Sequence, residues 1–208
     1  IVRFPVGGGD VVTFCDGIPE CHMTANKTGT LLMFSGVWEG GKRRPIVCTI
    51  DGENVRVLPF EGFAHNTFYI GEDELQGTLL PPGHGVVRWH VDDEEPEIIC
   101  AGPYFWHSGF SDDGAWIVTD TNWPDDGLML VHVESGRYAP LVVPSSRGHA
   151  SGAGQNTHPH PSFDRTGSRV VYTSNETGLS QVYVATVPDE LRHELETGEI
   201  TNRLRSRA

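Results

Sequence analysis

The sequence contains no uninterrupted apolar run of the ~18 to 20 residues that a membrane-spanning helix needs. Its first residues, IVRFPVGGGDVV, lack the basic start and long apolar centre of a signal peptide. Basic residues are also scarce, because 15 Lys and Arg stand against 28 Asp and Glu, which gives a net charge of −13 with no basic patch. We therefore expect a cytoplasmic protein that binds neither membranes nor nucleic acid.

Cysteine is rare as well. The four cysteines show no CxxC spacing, and an even number does not by itself make a disulfide framework in a chain of 208 residues. We interpret Cys15, Cys21, Cys48 and Cys100 as reduced and mostly buried thiols.

Short strands dominate the predicted structure. Glycine (25 residues) and proline (14 residues) separate runs rich in β-branched and aromatic side chains, such as LLMFSGVW, AWIVTDT and SRVVYTS. The segment PDELRHELETG is the convincing helix, with Pro188 and Asp189 supplying cap chemistry at its start and Gly198 able to end it. The sequence thus predicts an all-β fold with a short C-terminal helix.

A histidine recurs at the start of a strand. The spacings from His22 to His65, from His65 to His107 and from His107 to His158 are 43, 42 and 51 residues, as read from the sequence. This is about the length of one four-stranded blade, so the repeat predicts a β-propeller. The alternative is a β-sandwich with evenly spaced strands.

Counting strands predicts four to five blades in one propeller domain over residues 1–208. IVRFPV and DVVTFC are interpreted as the last two strands of an earlier blade, and the final unit supplies three strands before the helix. Because Ile1 is not an initiator Met, we expect the propeller to be incomplete on its N-terminal side.

The segment QNTHPHPSF predicts a metal site. His158 and His160 alternate by two, so both would point the same way from an extended strand that the following prolines stiffen, and Gln155 lies one turn earlier. A third imidazole from His107 in the preceding blade would complete a set typical of Mn, Fe, Ni or Zn rather than Ca. The alternative is a strand whose histidines serve only as hydrogen-bonding groups.

The same segment carries a family resemblance. THPHPSF followed by VVYTSNETGLSQVYVATVPDEL is similar to the last blade of the oligogalacturonate lyases, a family of seven-bladed propellers among the polysaccharide lyases. The chain resembles the C-terminal portion of that family, and the resemblance implies pectin degradation. It also implies that Gln155, His158, His160 and His107 bind manganese.

Other residues receive roles from the resemblance. FAHNTFYI resembles the stretch that carries the Brønsted base, which implies that His65 is the catalytic base, and RPIVCTIDGENVR implies a catalytic, substrate-binding arginine at Arg44. Arg44 could instead form a surface ion pair within a basic turn. We also assign substrate contacts to His22 and to His149, which lies in a Gly- and Ser-rich loop directly before Gln155.

The expected activity is metal-dependent cleavage of short oligogalacturonates by β-elimination, with an oligogalacturonate or related uronate oligosaccharide as the partner. The sequence departs from the family pattern at Ser35, Asn66 and Phe68. These departures favour an alternative, a non-catalytic metal-containing propeller that serves as a binding platform for a sugar or a protein. A metal-dependent hydrolase is the third hypothesis.

Overall fold

The computed structural model describes seven segments of the chain, residues 1–13, 22–38, 42–59, 63–79, 85–121, 127–144 and 157–199. For residues 37–38, 42–43 and 63–68 it describes the backbone alone. The described residues form seventeen β-strands and one helix, which confirms the predicted all-β class.

The strands form five antiparallel sheets, each made of consecutive strands. The first sheet pairs β1 (Val2–Arg3) with β2 (Val12–Thr13). The second contains β3 (Thr24–Ala25), β4 (Leu31–Trp38), β5 (Lys42–Thr49) and β6 (Arg56–Val57). The third contains β7 (Phe63–Tyr69), β8 (Glu74–Leu79), β9 (Gly85–His90) and β10 (Glu97–Ala101). The fourth contains β11 (Phe105–Phe110), β12 (Trp116–Thr121), β13 (Leu128–His132) and β14 (Tyr138–Val142), and the fifth contains β15 (Ser162–Phe163), β16 (Arg169–Ser174) and β17 (Gln181–Thr186).

This order is that of β-propeller blades, in which four strands follow one another across each sheet. The predicted repeat is confirmed, because β3, β7, β11 and β15 each open a new sheet and each carries or closely follows one of the recurring histidines. The pairing of β1 with β2 confirms the two strands predicted at the start of the chain. The final blade has the three strands that the sequence predicts.

The chain folds into two compact units, one of residues 1–82 and 87–97 and the other of residues 83–86 and 98–208. Each unit has its own apolar clusters. In the first unit one cluster is centred on Met33, Leu58, Leu75 and Trp89. In the second unit, β12 and β13 supply Val118, Leu128 and Leu130 to a cluster that also takes in the helix. Fully burying such a side chain contributes roughly 1.5 to 3 kcal/mol, so these clusters fix the strands on which the site residues lie.

The helix α1 (Asp189–Thr197) buries Leu191 and Leu195, and Gly198 ends it in the left-handed conformation at φ 81°. The prediction of cap chemistry at its start is wrong, because Pro188 occupies the N-cap and no side chain caps the first turn. Acidic residues in the first turn favour the start through the helix dipole instead. With nine residues α1 is too short to cross a membrane, and the described residues contain no other α-helix.

Two cysteines lie in the described residues. Cys48 and Cys100 are both buried and free of disulfide bonds, as predicted. Burial raises the pKa of the Cys100 thiol to about 11, so the thiol stays protonated near neutral pH. Cys15 and Cys21 lie outside the described residues.

Candidate metal centre

The strand β11 presents His107 at an irregularity in its pairing with β12. Phe105 faces Thr121 and Ser108 faces Thr119, and the register shifts between these two pairs, where His107 lies. A bulge of this kind redirects a side chain away from the regular alternation of the strand. His107 is buried, with 2% of the residue's surface exposed.

His158 and His160 precede β15 and are not part of a regular strand. The prediction that alternation along an extended strand aligns their imidazoles is wrong, because His160 has a left-handed backbone at φ 45°. This conformation is unfavourable for a residue other than glycine, and more so directly before a proline. Strain of this kind is retained where surrounding contacts enforce it, often at functional sites.

Hairpin register shows which histidines are equivalent. In the hairpin of β11 and β12, Phe110 near the turn faces Ile117. In the hairpin of β15 and β16, Phe163 near the turn faces Val170. The second pair lies 53 positions after the first, so the counterpart of His107 is His160. The pairing of His107 with His158, taken from the 51-residue spacing, is therefore wrong by two residues.

The structure brings the three imidazoles together. One ligand nitrogen from each of His107, His158 and His160 lies within 4.8 Å of the other two. The rings of His107 and His160 stack with their centroids 3.7 Å apart, and the centroids of His107 and His158 are 5.2 Å apart. His158 is buried like His107, whereas His160 is exposed.

A buried carboxylate joins the two segments. Asp120 Oδ2 lies 2.8 Å from His107 Nδ1, and Asp120 Oδ1 accepts a hydrogen bond of 2.8 Å from the His107 backbone N–H. Oδ2 also accepts a hydrogen bond of 3.3 Å from the backbone N–H of His160. Asp120 is 2% exposed, so these contacts are shielded from water.

Burial raises the pKa of Asp120 to about 6. The backbone N–H groups of His107 and His160 and the nearby imidazoles oppose this rise, because each stabilises the ionised carboxylate. Buried acidic groups with a shifted pKa and specific partners are concentrated at functional sites.

The residues fit a divalent first-row metal ion. Nitrogen ligands bind such ions at about 2.0 to 2.1 Å, which places two of them at most about 4.2 Å apart. The present separations of up to 4.8 Å are close to that limit. A carboxylate on Nδ1 of His107 leaves Nε2 of that ring for the metal, which is the usual arrangement of metal-binding histidines.

Sequence reasoning did not identify Asp120 or Trp106 as parts of this site. The Trp106 ring lies 5.9 Å from the ring of His158 and 5.7 Å from that of His107. A signal for Asp120 was present, since it is the one charged residue of WIVTDT, a strand buried along its whole length. No comparable signal marks Trp106, because partly exposed aromatic residues are common in strands.

The other predicted site residues are placed as follows. His65 lies in β7, where its backbone alone is described, and Arg44 lies in β5 opposite Gly36 with a partly buried side chain. His22 is exposed and lies two residues before β3. All three belong to the first compact unit, whereas the histidine cluster belongs to the second. Gln155 and His149 lie outside the described residues.

Solved structures share this fold. The chain is similar to an oligogalacturonate lyase in complex with manganese, at 17% identity and a TM-score of 0.74, over 92% of this chain and 55% of that one. It is similar to an oligogalacturonate lyase from Vibrio parahaemolyticus at 16% identity and a TM-score of 0.54, over 88% of this chain and 70% of that one. TolB from Acinetobacter baumannii matches at 14% identity and a TM-score of 0.62, over 85% of this chain and 43% of TolB.

These comparisons show a β-propeller fold. The chain spans about half the length of the manganese-bound lyase and of TolB. No protein-family model and no curated protein matches the sequence.

Proposed function

We propose that this chain is the metal-binding part of a lyase that cleaves short oligogalacturonates by β-elimination. The observation that carries the proposal is the cluster of His107, His158 and His160, in which one ligand nitrogen of each lies within 4.8 Å of the other two, next to the buried carboxylate of Asp120. The likeness to a manganese-bound oligogalacturonate lyase supports the choice among metal-dependent reactions.

In this reaction the base removes the C5 proton of a uronate unit, the C4–O bond breaks, and a C4=C5 double bond forms. The departing oxygen takes a proton from water, so the products are one saturated and one unsaturated chain. The C5 proton lies next to a carboxylate and is too weakly acidic for an imidazole unless the developing charge is stabilised. A divalent cation, when bound, supplies this stabilisation as a Lewis acid.

We assign the base to His65. It is the third residue of β7, as His107 is the third residue of β11, and both first strands have a shift of register around the histidine. A histidine near its ordinary pKa is neutral at pH 7 and can accept a proton. Asp120 contacts the ring of His107. The pair Phe63↔Leu79 lies 42 positions before the pair Phe105↔Thr121, so the residue on β8 that corresponds to Asp120 is the buried Thr78. The hairpin that carries His65 therefore has a threonine, and not a carboxylate, at the position that Asp120 occupies on β12.

Arg44 is assigned to a substrate carboxylate. A guanidinium group binds a carboxylate through two parallel hydrogen bonds, which orients the uronate and offsets the net charge of −13 locally. His22 and His149 remain proposed as further contacts to the oligosaccharide.

Manganese is the metal that we propose. The ligands are the three imidazoles and the amide oxygen of Gln155, a nitrogen and oxygen set without thiolate that suits such an ion. The likeness to a manganese-bound structure supports this choice. The absence of a disulfide bond at Cys48 and Cys100 is compatible with the reducing cytoplasm that we propose as its location.

A direct assay tests the proposal. Purified protein is mixed with trigalacturonate and Mn²⁺, and ultraviolet absorbance is followed, because the unsaturated product absorbs and the substrate does not. Rising absorbance supports the lyase. New reducing ends without a rise in absorbance would indicate a hydrolase instead.

The second candidate is a binding platform. The likeness to TolB has a TM-score of 0.62, between those of the two lyases, so the fold alone does not single out a lyase. The departures from the family pattern at Ser35, Asn66 and Phe68 also favour a binding platform. Saturable binding of trigalacturonate with flat absorbance would support this candidate.

A further inference from the structure

We propose that Asp120 is the positioning residue of the metal centre, fixing both the His107 ring and the backbone of His160 in the geometry that receives the ion. This inference rests on the metal binding in the proposed function and not on the lyase reaction. No substrate contact is assigned to Asp120.

The first step of the argument concerns the His107 ring. A buried carboxylate next to Nδ1 is satisfied when that nitrogen carries the proton and donates it, at 2.8 Å. The proton is then absent from Nε2, which has a lone pair for a metal ion. Asp120 thus selects the one tautomer of His107 that can bind through Nε2.

The second step concerns the backbone. The His107 N–H donates to Oδ1 of Asp120 inside the register shift, so the same carboxylate holds the irregular part of β11 in place. A side chain that contacts both the ring and the main chain of one residue fixes its orientation more firmly than either contact alone.

The third step concerns the segment that precedes β15. The His160 N–H donates to Oδ2 of Asp120, and His160 is the residue with φ 45°. A left-handed conformation before a proline is costly, and the hydrogen bond to a buried acceptor offsets part of that cost. Asp120 therefore ties the two segments that supply the imidazoles.

The test compares Asp120→Asn with the wild-type protein. Asparagine keeps the shape of the side chain but removes its charge, and its NH₂ group can donate to Nδ1 and so favour the wrong tautomer. Mn²⁺ binding is measured in the metal-free protein by the electron paramagnetic resonance signal of free Mn²⁺. We expect the dissociation constant to rise about 10- to 100-fold, the range for losing an outer partner of a metal-binding histidine.

The matched control is Asp112→Asn. Asp112 is exposed in the turn between β11 and β12, so its replacement removes the same charge from the same hairpin. We expect Mn²⁺ binding by this variant to equal that of the wild type. If Asp120→Asn lowers the melting temperature of the metal-free protein but leaves Mn²⁺ affinity unchanged, Asp120 has a purely structural role and the inference is wrong.

A measurement on the wild type covers the case in which Asp120→Asn does not fold. Long-range ¹H–¹⁵N spectra of the metal-free protein identify the tautomer of His107, and we expect the proton on Nδ1. A proton on Nε2 would contradict the inference. A wild-type protein that binds no Mn²⁺ rejects the metal site itself, whereas one that binds Mn²⁺ but lacks lyase activity rejects the proposed reaction alone.

Discussion

A Cβ atom on Gly109 would lie 2.9 Å from the carbonyl oxygen of Pro161, so the backbones of β11 and of the segment before β15 approach more closely there than a larger residue permits. Gly109 lies two residues after His107, and Pro161 directly follows His160. The close approach therefore sets the separation between two of the candidate metal ligands.

The first prediction is that Gly109→Ala weakens metal binding. The added methyl group would push Pro161 away and displace His160 with it, at a cost of about 1 to 3 kcal/mol in the free energy of unfolding. Urea unfolding and Mn²⁺ titration measure the two effects. In the control Gly71→Ala, the nearest atom to the new Cβ is 3.9 Å away, and we expect a change within about 0.5 kcal/mol. Unaltered Mn²⁺ affinity in Gly109→Ala would show that this spacing does not matter.

The second prediction is that His158→Ala loses metal and lyase activity together. His158 contributes one of the three imidazoles, and two remaining nitrogen ligands hold a divalent ion poorly. Metal content after gel filtration and the absorbance assay are the measurements. His193→Ala, which removes an exposed imidazole from α1, is the control and should keep both properties. Full metal content in His158→Ala would remove this residue from the ligand set.

The third prediction separates the base from the ligands. His65→Ala should keep its metal and lower turnover by about 10² to 10⁴, the effect of losing a general base. His90→Ala removes an exposed imidazole at the end of β9 and should have normal turnover. If His65→Ala retains wild-type lyase activity, the base is another group, and His22 is the first to replace.

The fourth prediction concerns stability. An ion that binds the folded state alone stabilises it by about 2.7 kcal/mol at a concentration 100 times its dissociation constant. For a chain of this size each kcal/mol corresponds to roughly 2 to 4 °C in melting temperature, so saturating Mn²⁺ should raise Tm by roughly 5 to 10 °C. Scanning calorimetry with Mn²⁺ and then with excess chelator measures the rise and its reversal. Identical melting curves in both conditions would argue against a specific site.

Much of the fold follows from local sequence. Runs such as AWIVTDT and SRVVYTS become β12 and β16 because β-branched residues suit the pleated surface of a strand, and the glycines between runs allow the turns. The spacing between the recurring histidines is also predictable from the sequence, since each blade needs four such strands. The helix α1 starts where the sequence predicts, but its capping was mispredicted because Pro188 occupies the N-cap without supplying an acceptor side chain.

The candidate site could be predicted only in part from the sequence. The three histidines were predicted from their spacing, and the structure brings them together. Their alignment was not predictable, because it depends on the left-handed conformation of His160 and on Asp120, 40 positions earlier in the sequence. A contact at that separation is set by the packing of one hairpin against the next segment, which local pattern does not encode.

The shared carboxylate of Asp120 has a kinetic consequence. Because the backbone N–H groups of His107 and His160 donate to the same side chain, neither amide proton can exchange with solvent deuterium until its contact with that acceptor opens. An opening that releases the carboxylate frees both amides at once. The two exchange rates should therefore rise and fall together as denaturant is added, and they report how long the β11–β12 hairpin and the segment before β15 remain joined.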